Sequence, residues 1–123
     1  APAVLTHGDL LEQNVLVSAQ GPTALVDWEM AGLGDPAVDL AIIVRGRGRR
    51  RADQGPLRAA LLTAYNRQAA RPLSAEAVVL HELCMVADEV AWAREADHHA
   101  AMQANLAELE ALWAGAQAGA VRA

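Results

Sequence analysis

Three side chains near the start of the chain could do chemistry together. Residues 5–17 read LTHGDLLEQNVLV and residues 24–41 read ALVDWEMAGLGDPAVDLA, which places Asp9, Asn14 and Asp27 around two short apolar runs. Asp9 and Asn14 flank four residues in a loop that opens onto the first run, and Asp27 ends the second. If the runs pair as a hairpin, the start of one and the end of the other are neighbours, so the three side chains meet at one end. Two carboxylates and a carboxamide form a hard, oxygen-rich cluster suited to Mg²⁺ rather than zinc. Asn14 and Asp27 supply the few protein ligands that Mg²⁺ takes, and Asp9 is left to accept a proton from a hydroxyl or to orient it. The reaction class that uses those roles is phosphoryl transfer.

Those side chains need elements to hold them. Val15–Val17 and Ala24–Val26 bracket SAQGPT, a turn-rich connector, and predict a hairpin of short buried strands around Gln20–Gly21–Pro22. GLGDP at 32–36 is a second loop, and Asp35-Pro36 starts a helix that runs over 36–45 and stops near Gly46. The segment 46–55 is rich in Arg and Gly and predicts loop, with a helix beginning at Pro56. Leu57, Leu61, Leu62 and Tyr65 keep helical spacing until Arg71-Pro72. Ser74 is an N-cap for a long helix with Val78, Leu83, Val86, Val90 and Ala93 on its apolar face. A further helix carries Met102, Leu106, Leu109 and Trp113, and the Ala/Gly-rich tail from 114 is expected to fray. A lone hairpin cannot make its own core, so it must lie on the helices.

Composition narrows the classes. Of 123 residues 54% are apolar and 20% charged, ordinary for a globular domain, and the net charge of -5 argues against a nucleic-acid partner. RGRGRRR at 45–51 is the one basic cluster and reads as a solvated loop, with a phosphate or nucleic-acid contact as the alternative. All ten basic residues are Arg, so no mechanism that needs a lysine can be served from this sequence. A single cysteine, Cys84, forms no intrachain disulfide and fits a reducing, cytoplasmic setting, where it reads as a core residue. No apolar run reaches the roughly 18 residues of a membrane span. His98-His99 point in different directions on a helix, and His81 with Cys84 lacks the further ligands of a zinc site. Trp28, Trp92 and Trp113 read as packing groups.

The catalytic loop of protein kinases runs H-R-D, four residues, N, ahead of a metal-binding D-F-G. Here the order is His7-Gly8-Asp9, four residues, Asn14, then Asp27-Trp28-Glu29. With Gly in place of Arg, and with VDWE and GDPAVDLA following, the chain resembles the aminoglycoside phosphotransferase / choline kinase-like family of small-molecule kinases. The likeness is close over 5–44, about a third of the chain. It implies a mainly α fold with a small hairpin, part of the C-terminal lobe of a protein-kinase-like α+β fold. It also implies Mg²⁺, with ATP or GTP as phosphate donor to a small-molecule hydroxyl: an aminoglycoside, a macrolide, choline, homoserine or another hydroxylated metabolite.

Carried over residue by residue, Asp9 resembles the catalytic base, and Asn14 and Asp27 the Mg²⁺ ligands. Asp39 is similar to an aspartate that braces the catalytic loop, and His7 to a scaffold residue that orients it. Glu29 is a possible second-layer or substrate group, or a solvated acid. Family members that modify cationic antibiotics bind amines with acids on late helices, a role open to Asp88 or Glu95, against the plainer reading of a polar helix face. The family often has HP or HxG where this chain has Leu11-Glu12-Gln13, a departure expected to alter the loop surface. The family's N-terminal nucleotide lobe and its lysine find no counterpart, and the sequence starts APAV without Met. The expectation is therefore a partial C-terminal lobe over 1–123, a fragment of such a kinase, inactive alone. The alternative is a truncated, non-catalytic binding or oligomerisation module. Its partner would be the missing lobe or another copy of the chain, met through exposed apolar surface.

Overall fold

The computed structural model describes residues 2–122, with side chains to residue 119. It is mainly helical with two small antiparallel sheets, in the order β1 (Val4–Thr6), a 3-10 turn (Glu12–Asn14), β2 (Val15–Ser18), β3 (Gly21–Leu25), β4 (Gly32–Gly34), α1 (Ala37–Arg45), α2 (Arg51–Asn66), α3 (Ala75–Glu95) and α4 (His99–Arg122). The chain divides into two compact units between Val78 and Val79, so α3 begins in the first and continues in the second.

In the first unit β2 and β3 form the expected hairpin, with Val15 opposite Leu25 and Ser18 opposite Gly21. The turn is tighter than expected, at Ala19-Gln20, and Gly21 follows it at φ +110°, a conformation that favours glycine. The register shifts between Leu16 and Val17, facing Pro22. Proline has no N–H for the ladder and settles at such bulges. The Thr23 hydroxyl there donates to the Leu16 carbonyl at 3.1 Å. The strands are not buried as the apolar runs imply: Leu16 is 48% and Val17 68% exposed. Short unalternating runs do not reveal which face is covered.

The second sheet is unforeseen. β1 pairs with β4 through Val4–Gly34, Leu5–Leu33 and Thr6–Gly32, and the Thr6 hydroxyl donates to the Gly32 carbonyl at 3.1 Å. Gly-Leu-Gly carries almost no strand propensity. Pairing with β1 makes it a strand, and the two polar loops of the sequence are thereby tied together.

Asp35 starts α1, its Oδ1 accepting from the Ala37 N–H at 2.9 Å. Ala37, Leu40, Ala41 and Val44 lie along one buried stripe, and α1 packs on α2. Gly46, at φ +50°, ends α1 by donating its N–H to the Ile42 carbonyl at 3.0 Å. The α2 helix begins at Arg51, five residues before the Pro56 start expected from sequence, so only 46–50 are loop. Arg51, Ala52 and Gln54 are good helix formers, and packing of α2 on α1 offsets Pro56, which lacks an N–H and crowds the Ala52 carbonyl one turn back. Asn66 closes the connection after α2, donating to the Leu73 carbonyl at 2.9 Å and accepting from its N–H at 2.8 Å.

Ser74 caps α3 as expected, with its hydroxyl accepting from the Ala77 N–H at 3.2 Å. In the second unit Glu82, Val86 and Ala93 are the buried residues of α3. Asp97 at φ +56° breaks α3 from α4, and α4 continues to Arg122 where fraying was expected from the Ala/Gly composition. Cys84 is exposed, lining an apolar groove of about 470 Å³ with Leu80, Leu83, Leu109 and Trp113 rather than joining the core. The tryptophans are likewise half exposed: Trp28 45%, Trp92 60% and Trp113 57%. No helix is long and apolar enough to cross a membrane among the described residues.

Candidate active site

β1 delivers the chain to His7, and α1 holds it there. Asp39, in the first turn of α1, accepts from the His7 N–H at 2.8 Å through one carboxylate oxygen and from the Gly8 N–H at 2.9 Å through the other. Gly8 is at φ +80°, and a Cβ on it would lie 2.3 Å from the Met30 carbonyl oxygen. Only glycine fits where the loop passes so close to backbone. That is a physical reason for Gly where the protein kinases carry Arg.

His7 is 3% exposed and works as a frame. Its Nδ1 accepts from the Asp9 N–H at 3.3 Å, so the proton sits on Nε2, which donates to the Val26 carbonyl at 2.8 Å. Its ring lies 4.6 Å from that of Trp28, tilted by 53°. One imidazole thus links the residue before Asp27 to the backbone of Asp9. Both nitrogens are occupied, which leaves neither for proton transfer.

Asn14 is buried at the end of the 3-10 turn. Its Nδ2 donates to the Asp9 carbonyl at 2.8 Å and to the Asp9 Oδ2 at 3.2 Å. With Nδ2 engaged by Asp9, Asn14 Oδ1 is the atom available to a cation, and Asp9 Oδ1 is the oxygen available to a hydroxyl. The Asn14 carbonyl accepts from the Val26 N–H at 2.9 Å, so Asp27 follows directly on a residue clamped from both sides. Asp27 itself is exposed at φ +62°, a left-handed conformation uncommon outside glycine, and its carboxylate makes no hydrogen bond or ion pair among the described residues.

The residues present fit a hard cation of low protein-ligand demand. Among the described residues no three His, Cys, Asp or Glu side chains converge as a metal site. Asn14 Oδ1 and the unpaired Asp27 carboxylate are two oxygen donors, the number with which Mg²⁺ is content when water and phosphate fill the rest of its shell.

Asp9 and Asn14 are therefore in direct contact, His7 and Asp39 brace the loop, and Asp27 follows Val26, which is bonded to the Asn14 carbonyl and the His7 ring. Glu29 is exposed on the loop after Asp27. Asp88 and Glu95 are exposed on α3 in the second unit. Sequence reasoning passed over Thr6, buried beside the loop, and Trp28 as the neighbour of His7. It also passed over the Arg49–Glu12 ion pair, which ties the Arg-rich segment to the loop that ends in Asn14. The departure at Leu11-Glu12-Gln13 was the available signal for that pair, but four other arginines of the run competed for it.

A family model, the phosphotransferase enzyme family (APH), matches residues 1–77. The match ends one residue before the first unit does. Neither a search of curated proteins nor a search of solved structures returns a match.

Proposed function

The chain belongs to the phosphotransferase enzyme family, and from that premise we propose that its first unit carries the catalytic base and cation ligands of an ATP-dependent small-molecule kinase. The observation that carries the reading is the Asn14 amide held at 3.2 Å from the Asp9 carboxylate, with Asp27 following Val26, whose N–H donates to the Asn14 carbonyl. In this reading the unit corresponds to part of a kinase-like C-terminal lobe, acting in the cytoplasm on a soluble hydroxylated substrate.

Asp9 takes the proton of the acceptor hydroxyl as that oxygen bonds to the terminal phosphorus of ATP or GTP and the nucleoside diphosphate leaves. Asn14 orients the Asp9 carboxylate through Nδ2 and, with Asp27, holds Mg²⁺. When bound, the ion neutralises charge on the phosphate oxygens. His7 and Asp39 fix the loop without touching substrate. Asp88 and Glu95 are candidate contacts to a cationic acceptor, and Glu29 to either substrate. We expect these 123 residues alone to lack turnover, because no lysine is present to pair with the nucleotide phosphates.

The test is nucleotide-dependent phosphorylation of a panel of hydroxylated amines, with the wild-type chain and the Asp9→Ala variant, in Mg²⁺. No turnover above background is expected from either. Turnover that Asp9→Ala abolishes would overturn the claim of inactivity while supporting the base. Turnover that Asp9→Ala leaves unchanged would overturn the base assignment.

One observation favours a second reading, a non-catalytic module that binds another chain. In the first unit Leu5 and Val17 are each 68% exposed, Met30 64% and Leu33 80%. Leu5 and Leu33 lie opposite each other in the β1–β4 pair and so expose one shared apolar face, the kind of patch that marks an interaction surface.

A further inference from the structure

The Arg-rich segment after α1 plays no part in that reading, yet one of its members is built into the site's support. Arg49 is drawn inward, its side chain 20% exposed, whereas Arg50 beside it is 83% exposed. Arg49 Nη2 pairs with Glu12 Oε1 at the start of the 3-10 turn that ends in Asn14. Its guanidinium lies over Gly46, where a Cβ would stand 3.0 Å from both Nε and Nη2. Its Nε is buried without an acceptor. A buried donor without a partner is unfavourable, and a loop arginine could avoid that by turning to solvent. The seat on Gly46 and the Glu12 carboxylate hold it in place.

We infer that Arg49 is a positioning residue for the cation-binding edge of the site: with Glu12 it fixes the turn bearing Asn14 to the C-terminal exit of α1. The inference rests on the reading of Asn14 and Asp27 as cation ligands. α1 then supports the catalytic loop at two points. Asp39, in its first turn, holds residues 7 and 8, and the Gly46–Arg49 corner holds Glu12.

Mn²⁺ serves as the probe, with free Mn²⁺ counted by electron paramagnetic resonance in the presence of the full chain. Arg49→Gln and Glu12→Gln are each expected to weaken Mn²⁺ binding about two- to fivefold, the scale of a partly exposed ion pair. The double variant is expected to be no weaker than either single one, because the two residues act as a pair. Amide hydrogen exchange at Asn14 and Val15 should quicken in all three, with α2 unaffected. Wild-type affinity in both single variants, or losses that add in the double, would overturn the inference. Asp27→Asn separates the two ideas. If it binds Mn²⁺ as the wild type does, the ligand reading has failed, and exchange at Asn14 alone decides. Faster exchange in Arg49→Gln then sustains the tether, and unchanged exchange overturns it.

Discussion

Residue by residue, the loop over 7–14 is over-determined. His7 has both ring nitrogens engaged, Asn14 reaches both oxygens of Asp9 that face it, and Gly8 passes against Met30. Gly8→Ala should therefore be costly. The positive φ alone accounts for about 1–2 kcal/mol, and displacing a carbonyl from 2.3 Å adds to it. Urea unfolding would read this as a fall in the midpoint with the slope unchanged; a variant as stable as wild type would show that the loop yields easily. The contact between Asp9 and Asn14 was legible in the sequence because both flank the short loop that opens onto β2. The left-handed backbone at Asp27 was not, because an aspartate ahead of a tryptophan carries no local sign of it.

At the scale of elements, α1 does the organising. Its stripe of Ala37, Leu40, Ala41 and Val44 seats it in the core, and its first turn presents Asp39 to two backbone N–H groups. Asp39→Ala leaves both donors without an acceptor, a loss of about 2–4 kcal/mol for two such groups. Asp39→Asn, which can accept only one of the two bonds, should fall between. Thermal melts of the three proteins test that order, and equal stability of Asp39→Ala and wild type would contradict the bracing role. The limits of α1, the Ser74 cap and the hairpin were readable from caps and turn residues. The β1–β4 sheet was not, since a Gly-Leu-Gly strand exists through its partner rather than its own propensity. The early start of α2 was hidden by Pro56, which signals a helix start more often than a second turn.

For the molecule as a whole, the family match and the first compact unit nearly coincide, and the second unit lies outside the match. The proposed base and cation ligands thus lie in one unit, and Asp88 and Glu95 are in the other. Exposed Val17, Met30 and Leu33 predict concentration-dependent self-association. Sedimentation velocity should show the average mass rising with concentration and falling again in a Val17→Asp/Leu33→Asp variant. A chain that stays monomeric throughout would remove the support for the binding-module reading. Helical spacing of apolar residues foretold the mainly helical fold but not this exposure, because spacing alone does not say which apolar residues find cover.

The central claim is that Asn14 and Asp27 hold a divalent cation beside Asp9. It is tested most directly by adding Mn²⁺ to the ¹⁵N-labelled chain and following paramagnetic broadening by nuclear magnetic resonance. Broadening is expected first at the Asn14 side-chain amide and the backbone amides of residues 26–28, and is lost in Asp27→Asn. Broadening that begins instead at Asp88 or Glu95, or that persists around residues 26–28 in Asp27→Asn, would contradict it.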